Sequence, residues 1–260
     1  MRIARFTVAD QIAYGVVDGD LDDGASLTVN AIDGHPFAPF KRTSARLAMS
    51  DVRLLPPVLP NKVIGIGKNY VDHAREMGGE APTTPVMFLK PSTSVIGPGE
   101  SVVLPEQSQQ VEFEGEIAVV IGRLARDVPP ERVDDVILGY TCANDVTARD
   151  LQRSDRQWTR AKGFDSFCPL GPWISTDVDP GGLSVQTEVN GDIRQSAPAS
   201  AMVHSITDLV VFVSSVMTLI PGDVILTGTP AGVGALRDGD RVSVIVAGVG
   251  RLDHTVRVAG

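Results

Sequence analysis

Cysteine is nearly absent, with Cys142 and Cys168 the two in 260 residues. That is too few for a disulfide framework, and their spacing fits neither a zinc nor a redox motif. Both are expected to be reduced, buried packing residues. Positive charge is also in short supply, since 23 Lys and Arg face 32 Asp and Glu, for a net charge of −9 and a pI near 4.9. Such a chain is a poor partner for nucleic acid or an anionic membrane. Long apolar runs are missing as well. The longest, residues 209–220, is too short to span a bilayer and is broken by Ser214, Ser215 and Thr218. No apolar stretch of the secretory type follows Met1, so a cytoplasmic location is expected. Aromatic residues make up 5%, whereas Gly reaches 26 and Pro 18, a balance that favours a turn-rich, β-heavy fold.

The punctuation of the chain divides it into two domains, residues 1–57 and 58–260. Residues 2–8 and 11–17 read as short strands, with the turn Val17-Asp18-Gly19-Asp20 after the second. Pro56, Pro57 and Pro60 then suggest an extended linker. Beyond it strands are expected at 63–66, 86–89, 101–104, 113–121, 224–227, 241–246 and 252–258. Asn190-Gly191 marks a type I′ hairpin. One helix should open at Pro129-Pro130-Glu131, and another is expected over 209–220, capped by Thr207-Asp208 and stopped by Pro221-Gly222. The pattern is mixed α/β of the α+β type, with a mainly antiparallel sheet.

Within the predicted strand 113–121, Glu114 and Glu116 stand two residues apart in an apolar run. Strand residues i and i+2 share a face, so the two carboxylates project together. Buried anions need a cation. A third acid, Asp145, lies in a similar setting in Cys142-Ala143-Asn144-Asp145-Val146. Three carboxylates with no paired His or Cys suit Mg²⁺ or Mn²⁺ rather than Zn²⁺. The alternative from spacing alone is a solvated strand face paired with surface cations. His73 and Glu76 are three apart in a segment able to form a short helix, where i and i+3 are neighbours. An oriented general base and a surface His beside a surface Glu both satisfy that spacing.

Six segments occur in the order seen in the fumarylacetoacetate hydrolase family. They are Gly67-Lys68-Asn69-Tyr70-Val71-Asp72-His73-Ala74-Arg75-Glu76-Met77, Met87-Phe88-Leu89-Lys90-Pro91, Glu112-Phe113-Glu114-Gly115-Glu116, Asn144-Asp145-Val146-Thr147-Ala148-Arg149-Asp150-Leu151-Gln152, Lys162-Gly163-Phe164-Asp165 and Thr227-Gly228-Thr229-Pro230-Ala231-Gly232-Val233-Gly234. From about Lys62 onward the chain resembles the small branch of that family with acylpyruvate hydrolases, oxaloacetate decarboxylases and 2-hydroxyhepta-2,4-diene-1,7-dioate isomerases.

The resemblance implies a mixed β-roll preceded by a small N-terminal β-domain, and a homodimer paired through residues after 62. It implies one divalent ion on Glu114, Glu116 and Asp145, with roughly three of six octahedral positions open. A bidentate 2-oxo acid fits such a site, and the ion would stabilise the enolate released when a neighbouring C–C bond breaks. The expected activity is therefore hydrolysis of an acylpyruvate or decarboxylation of oxaloacetate, with dienedioate isomerisation as the alternative. By resemblance His73 and Glu76 activate water, Arg149, Gln152 and Lys162 contact substrate oxygens, and Thr229 contacts a carboxylate. Lys162 also counts among the catalytic residues. Arg149 and Gln152, four and seven residues after Asp145, should share one helical face with it. The 227–234 loop lacks the lysine of a P-loop, which excludes nucleotide binding.

Overall fold

The computed structural model describes residues 1–21 and 23–259. Its fold is mixed α+β, dominated by antiparallel sheet. The largest sheet runs through Lys41–Ala48, Thr28–Asp33, Gln11–Asp18, Arg2–Val8, Cys168–Ser175, Ile137–Asn144, Gly115–Ile121, Val224–Leu226, Val63–Gly67 and Val86–Lys90. One internal pairing on this path is parallel, Val224–Leu226 with Val63–Gly67. The N-terminal strands extend this sheet, because Arg2 and Ile3 pair with Ser175 and Ile174. The proline-rich segment after Leu55 forms no regular element and lies against the core, where Val58 is buried.

A second sheet, ordered Asp192–Pro198, Ser184–Val189, Arg241–Val246, Gly250–Val258 and Ser101–Leu104, packs against the first. Alternation along Gly115–Ile121 explains why that strand is central. Ile117, Val119 and Ile121 join the core shared with Val185, Val244 and Leu252, while Ala118 and Val120 point to a cluster with Leu170, Ile174 and Leu226. A strand buried on both faces reads as a continuous apolar run. Asn190 and Gly191 both have positive φ, 55° and 88°, the geometry of the expected I′ hairpin.

Three local expectations need correction. The strand expected over 113–121 is broken at Glu114, giving Val111–Phe113 and Gly115–Ile121. The Glu114 N–H is donated to the Asn144 side chain rather than to a ladder, at 2.8 Å. The long helix spans Ile206–Val216, and Ser205, not Thr207-Asp208, is its N-cap. Asp208 is instead the N3 partner in a reciprocal capping box with Ser205. Its C-terminal end comes early because Leu219 leaves the helix to bridge Ala125 and is fully buried there. The helix at Pro129 is a single 3₁₀ turn, Pro130–Arg132, running into four residues, Val133–Val136.

Candidate active site and metal centre

The ladder between Gly115–Ile121 and Ile137–Asn144 ends at the pair Gly115↔Asn144. Just beyond it the chains open, and the Asp145 N–H is donated to the Glu114 carbonyl at 2.8 Å. That opening brings one carboxylate oxygen each from Glu114, Glu116 and Asp145 within 4.8 Å of one another. All three residues are buried. Gly115 between the two glutamates has no room for a side chain, since a Cβ there would lie 1.9 Å from Thr187 Oγ1. Gly228 has the same constraint in another form. At φ +99° its N–H reaches Glu116 Oε2 at 2.6 Å, and a Cβ would lie 2.6 Å from that of Asn69.

Three buried cations surround the acids. Lys162 Nζ bridges Glu114 Oε2 at 2.7 Å and Asp145 Oδ2 at 2.6 Å. Lys90 Nζ donates to Asp145 Oδ1 at 2.6 Å. Arg149 donates from Nε to Glu112 at 2.7 Å and from an amino group to Glu114 Oε1 at 2.5 Å. Four carboxylates, Glu112 included, thus face three cations, and one negative charge remains uncompensated. Burial alone would raise the Glu114 carboxyl, but the Lys162 ammonium and Arg149 guanidinium outweigh it and hold it well below the usual range. Glu116 goes the other way. Burial, then the charges of Asp145 and Glu114, push its carboxyl well above the ordinary value. It is the acid of the trio with no direct cation contact.

This donor set fits a hard divalent ion on its own chemistry. It is all oxygen, buried and one charge short of neutral, and the Lys162 ammonium stands where it touches two of the three acids. Among the described residues the phenol of Tyr70 is buried without a hydrogen-bond partner. Burial and the nearby Glu116 charge raise its pKa, so a neutral hydroxyl is available beside the acids.

A cavity of about 200 Å³ opens onto this cluster, lined by His73, Glu114, Glu116, Arg149, Gln152, Lys162 and Thr229 among others. The structure thus gathers every residue assigned from the sequence except Asp145, which lies behind the wall, and Glu76, which acts on His73. The helix Val71–Glu76 carries His73 and Glu76, with Nδ1 3.1 Å from Glu76 Oε2. Glu76 is fixed in turn by the Gly232 N–H at 3.0 Å. The expectation that Asp145 shares a helical face with Arg149 and Gln152 is corrected, because the helix Arg149–Ser154 begins four residues later. Arg149 instead donates to Gln152 Oε1 at 2.6 Å, which turns the Gln152 amide donors outward. The Thr229 hydroxyl donates to Gly115 O and accepts from Gln195, at 2.9 and 2.7 Å. A carboxylate contact there would use the backbone or exchange one of these bonds.

Comparison with known proteins settles the lineage. The profile described as fumarylacetoacetate (FAA) hydrolase C-terminal matches residues 62–257, and one described as Rv2993c-like, N-terminal, matches residues 1–57. The chain belongs to the fumarylacetoacetate hydrolase family. A crystal structure of 2-hydroxyhepta-2,4-diene-1,7-dioate isomerase from Mycobacterium marinum is similar at 48% identity and TM-score 0.94, covering 100% of this chain and 99% of that one. The Homo sapiens protein oxaloacetate tautomerase FAHD2A, mitochondrial, is 45% identical over 197 residues, 74% of this chain and 63% of that protein. Fumarylpyruvate hydrolase from Pseudomonas aeruginosa, in complex with Mn²⁺ and pyruvate, is 30% identical with TM-score 0.73, covering 80% of this chain and 92% of that one. Family members are enzymes, among them isomerases, hydrolases and tautomerases.

In this family member several supporting residues carry no sequence assignment. Lys90 and Glu112 stood in the shared motifs without a role, and a lysine closing an apolar strand was the available signal for the first. Asn144 likewise stands in the motif of Asp145 without a role, whereas Gln195, which accepts from the Gly115 N–H, reaches the site from outside the shared motifs and gives no signal. Trp158 walls the cavity, 5.5 Å from Phe88 in an edge-on contact, and Phe88 lies under the Lys162 ammonium. The His204 imidazole meets Pro82 O through Nε2 at 3.0 Å and so pins the segment after the His73 helix. Both cysteines are buried and free.

His254, without a role in the sequence, lies beneath the site. The Asn144 Oδ1 accepts from Glu114, so Asn144 Nδ2 donates to His254 Nε2 at 2.9 Å. The imidazole is therefore neutral, with its proton on Nδ1, which has no partner among the described residues. Burial depresses its pKa from 6.5 to about 4. The native state resists protonation that the unfolded chain accepts below pH 6.5. Stability is therefore full above that value and falls as pH drops toward 4. Two to three units of depression amount to about 3 kcal/mol at 1.36 kcal/mol per unit. Urea melts at pH 4 to 7.5 should show His254→Gln losing less stability on acidification than the wild type, by about that amount. Parallel curves would overturn this.

Proposed function

We propose that this protein is a Mg²⁺- or Mn²⁺-dependent enzyme that cleaves a C–C bond in a small β-dicarbonyl acid, an acylpyruvate or oxaloacetate, by way of an enolate. The observation that carries this reading is the charge of the buried cluster onto which the cavity opens. Four acids against three cations leave one negative charge, a divalent ion turns that to one positive, and the carboxylate of a 2-oxo acid restores neutrality. A cavity of about 200 Å³ also lies below the ~300–1,000 Å³ of sites for larger ligands. When bound, the ion supplies Lewis-acid stabilisation of charge on the 2-oxo oxygen.

The chain's own residues supply the rest. Gln152 offers its amide donors to a substrate oxygen, held for that by Arg149. Arg149 keeps two N–H donors of its own, since three of its five are used. Glu76 holds His73 through Nδ1, leaving Nε2 to take a proton from water or from the carbon beside the ketone. Lys162 faces Glu114 and Asp145 and can neutralise a departing carboxylate.

A second reading, isomerisation of a hydroxydienedioate or keto–enol exchange, uses the same dyad to move a proton between carbon and oxygen with no attacking water. The 48% identical isomerase favours it. Incubation with oxaloacetate, acetylpyruvate and 2-hydroxyhepta-2,4-diene-1,7-dioate, with and without EDTA, separates the two. Pyruvate release from either of the first two, abolished by EDTA and restored by Mg²⁺, is the expected result. Faster ketonisation of the dienedioate favours the second reading, and full activity in EDTA sinks both.

A further inference from the structure

The strand Asp192–Pro198 is the edge of the second sheet, and its residues are exposed or half-buried except Gln195, which is 1% exposed. An apolar residue is the ordinary occupant of such a position, and an amide persists there only with its bonds made. All of them are made. Gln195 Oε1 accepts from the Gly115 N–H at 3.0 Å, and Nε2 donates to Thr229 Oγ1 and to Pro230 O, each at 2.7 Å. Turned the other way, the amide would set N–H against N–H and oxygen against oxygen, so its direction is fixed.

These three bonds join the two halves of the site. Gly115 lies between Glu114 and Glu116, and the loop 227–234 runs from the acids to the dyad. At its start the Gly228 N–H is donated to Glu116 Oε2 at 2.6 Å. Four residues on, the Gly232 N–H is donated to Glu76 Oε1 at 3.0 Å, and Glu76 holds His73. The start of the loop has anchors of its own, since Asn69 Nδ2 donates to Thr227 O and Thr227 Oγ1 to Ile117 O, both at 2.8 Å. Between Gly228 and Gly232, among the described residues, both hydrogen bonds from the loop to the second sheet come from Gln195. The same strand also backs the loop, because a Cβ on Gly232, at φ +105°, would lie 2.0 Å from Arg194 O.

We infer that Gln195 is a positioning residue, which sets the His73–Glu76 dyad in register with the acid cluster by way of the 227–234 loop. The inference rests on the reading of His73 as the proton carrier. Gln195 does not line the cavity, so it acts on a ligand only through the loop. The acids keep their own ties without it. Lys162 bridges Glu114 and Asp145, Arg149 holds Glu114, and Gly228 reaches Glu116 from the independently anchored start of the loop. Removing Gln195 therefore leaves the ligands of an ion nearly in place while freeing Gly232, and with it Glu76, to shift. A misplacement of about 1 Å at a reacting group can cost ~10²-fold in rate.

A double-mutant cycle with Glu76→Gln on the full-length protein tests this. Gln195→Met keeps the volume and removes all three bonds. Gln195→Glu keeps the acceptor for Gly115, removes both donors, and takes the place of the first variant should that one fail to fold. Either should lower kcat on oxaloacetate or acetylpyruvate by ~10–100-fold, the scale of a supporting partner, with Mg²⁺ affinity by calorimetry within about threefold of the wild type. In the Glu76→Gln background the same change should cost less than about threefold more, because both variants undo one orientation of His73. Losses that multiply, or a kcat that falls only in step with Mg²⁺ affinity, overturn the inference. The imidazole ¹⁵N resonances of His73, assigned by their loss in His73→Ala, give a readout that needs no turnover. In the Mg²⁺-loaded Gln195 variant they should move in the direction seen for Glu76→Gln, and resonances that stay at wild-type positions overturn the inference. A protein that turns over neither compound yet shows that movement refutes the functional reading and leaves the positioning role standing.

Discussion

Glu116→Gln is expected to abolish Mg²⁺ binding and turnover while leaving the metal-free protein as stable as the wild type or more so. Glu116 sits in a cluster one negative charge in excess, with no cation in direct contact, and burial and its neighbours raise its carboxyl well above the ordinary range. Replacing it with a neutral isostere keeps an acceptor for the Gly228 N–H and removes the source of repulsion. The ion loses a charged ligand, so affinity should fall by more than the ~10–100-fold typical of losing a mere supporting partner of a ligand. Thermal melts separate the two effects. Mg²⁺ should raise the wild-type midpoint by mass action on the native state and leave the variant's midpoint unmoved. A variant that still responds fully to Mg²⁺ places the ion elsewhere.

The acids that make this cluster were legible because alternation in an apolar run exposes them. Two glutamates two apart on a strand must share a face, and an apolar segment cannot bury them without cations. The sequence could not show that the strand breaks at Glu114. That break depends on Asn144, thirty residues away, capturing the Glu114 N–H. The cations were half legible. Lys162 and Arg149 were assigned through the family's motifs, yet nothing local says that Lys162 bridges two of the acids or that Arg149 spends three donors inside the protein. Lys90 and Glu112 stood in those motifs without a role, because their partners lie 55 and 37 residues away. The helix over Ile206–Val216 was visible from its apolar run, but its ends were misjudged. Ser205 wins the cap because the Asp208 side chain returns its bond, and Leu219 leaves the helix for a tertiary bridge.

His73→Ala is expected to lower kcat by about 10²–10⁴-fold, the range for a lost general base, with Mg²⁺ affinity unchanged within a few-fold. The separation follows from geometry. His73 lies on the short helix Val71–Glu76, whereas the acids come from the end of the Gly115–Ile121 ladder, and no bond joins His73 to any of the three. Glu76→Gln should do less harm. The amide keeps an oxygen for His73 Nδ1–H or for the Gly232 N–H but holds the ring less firmly than two carboxylate oxygens do, so a loss nearer the ~10–100-fold of a supporting partner is expected. The order of the two variants identifies the dyad, because a surface His–Glu pair would leave both rates near wild type. Pre-steady-state and calorimetric measurements on the same preparations decide the matter. If kcat in His73→Ala falls only in step with lost Mg²⁺ binding, His73 supports the metal site and is not the proton carrier.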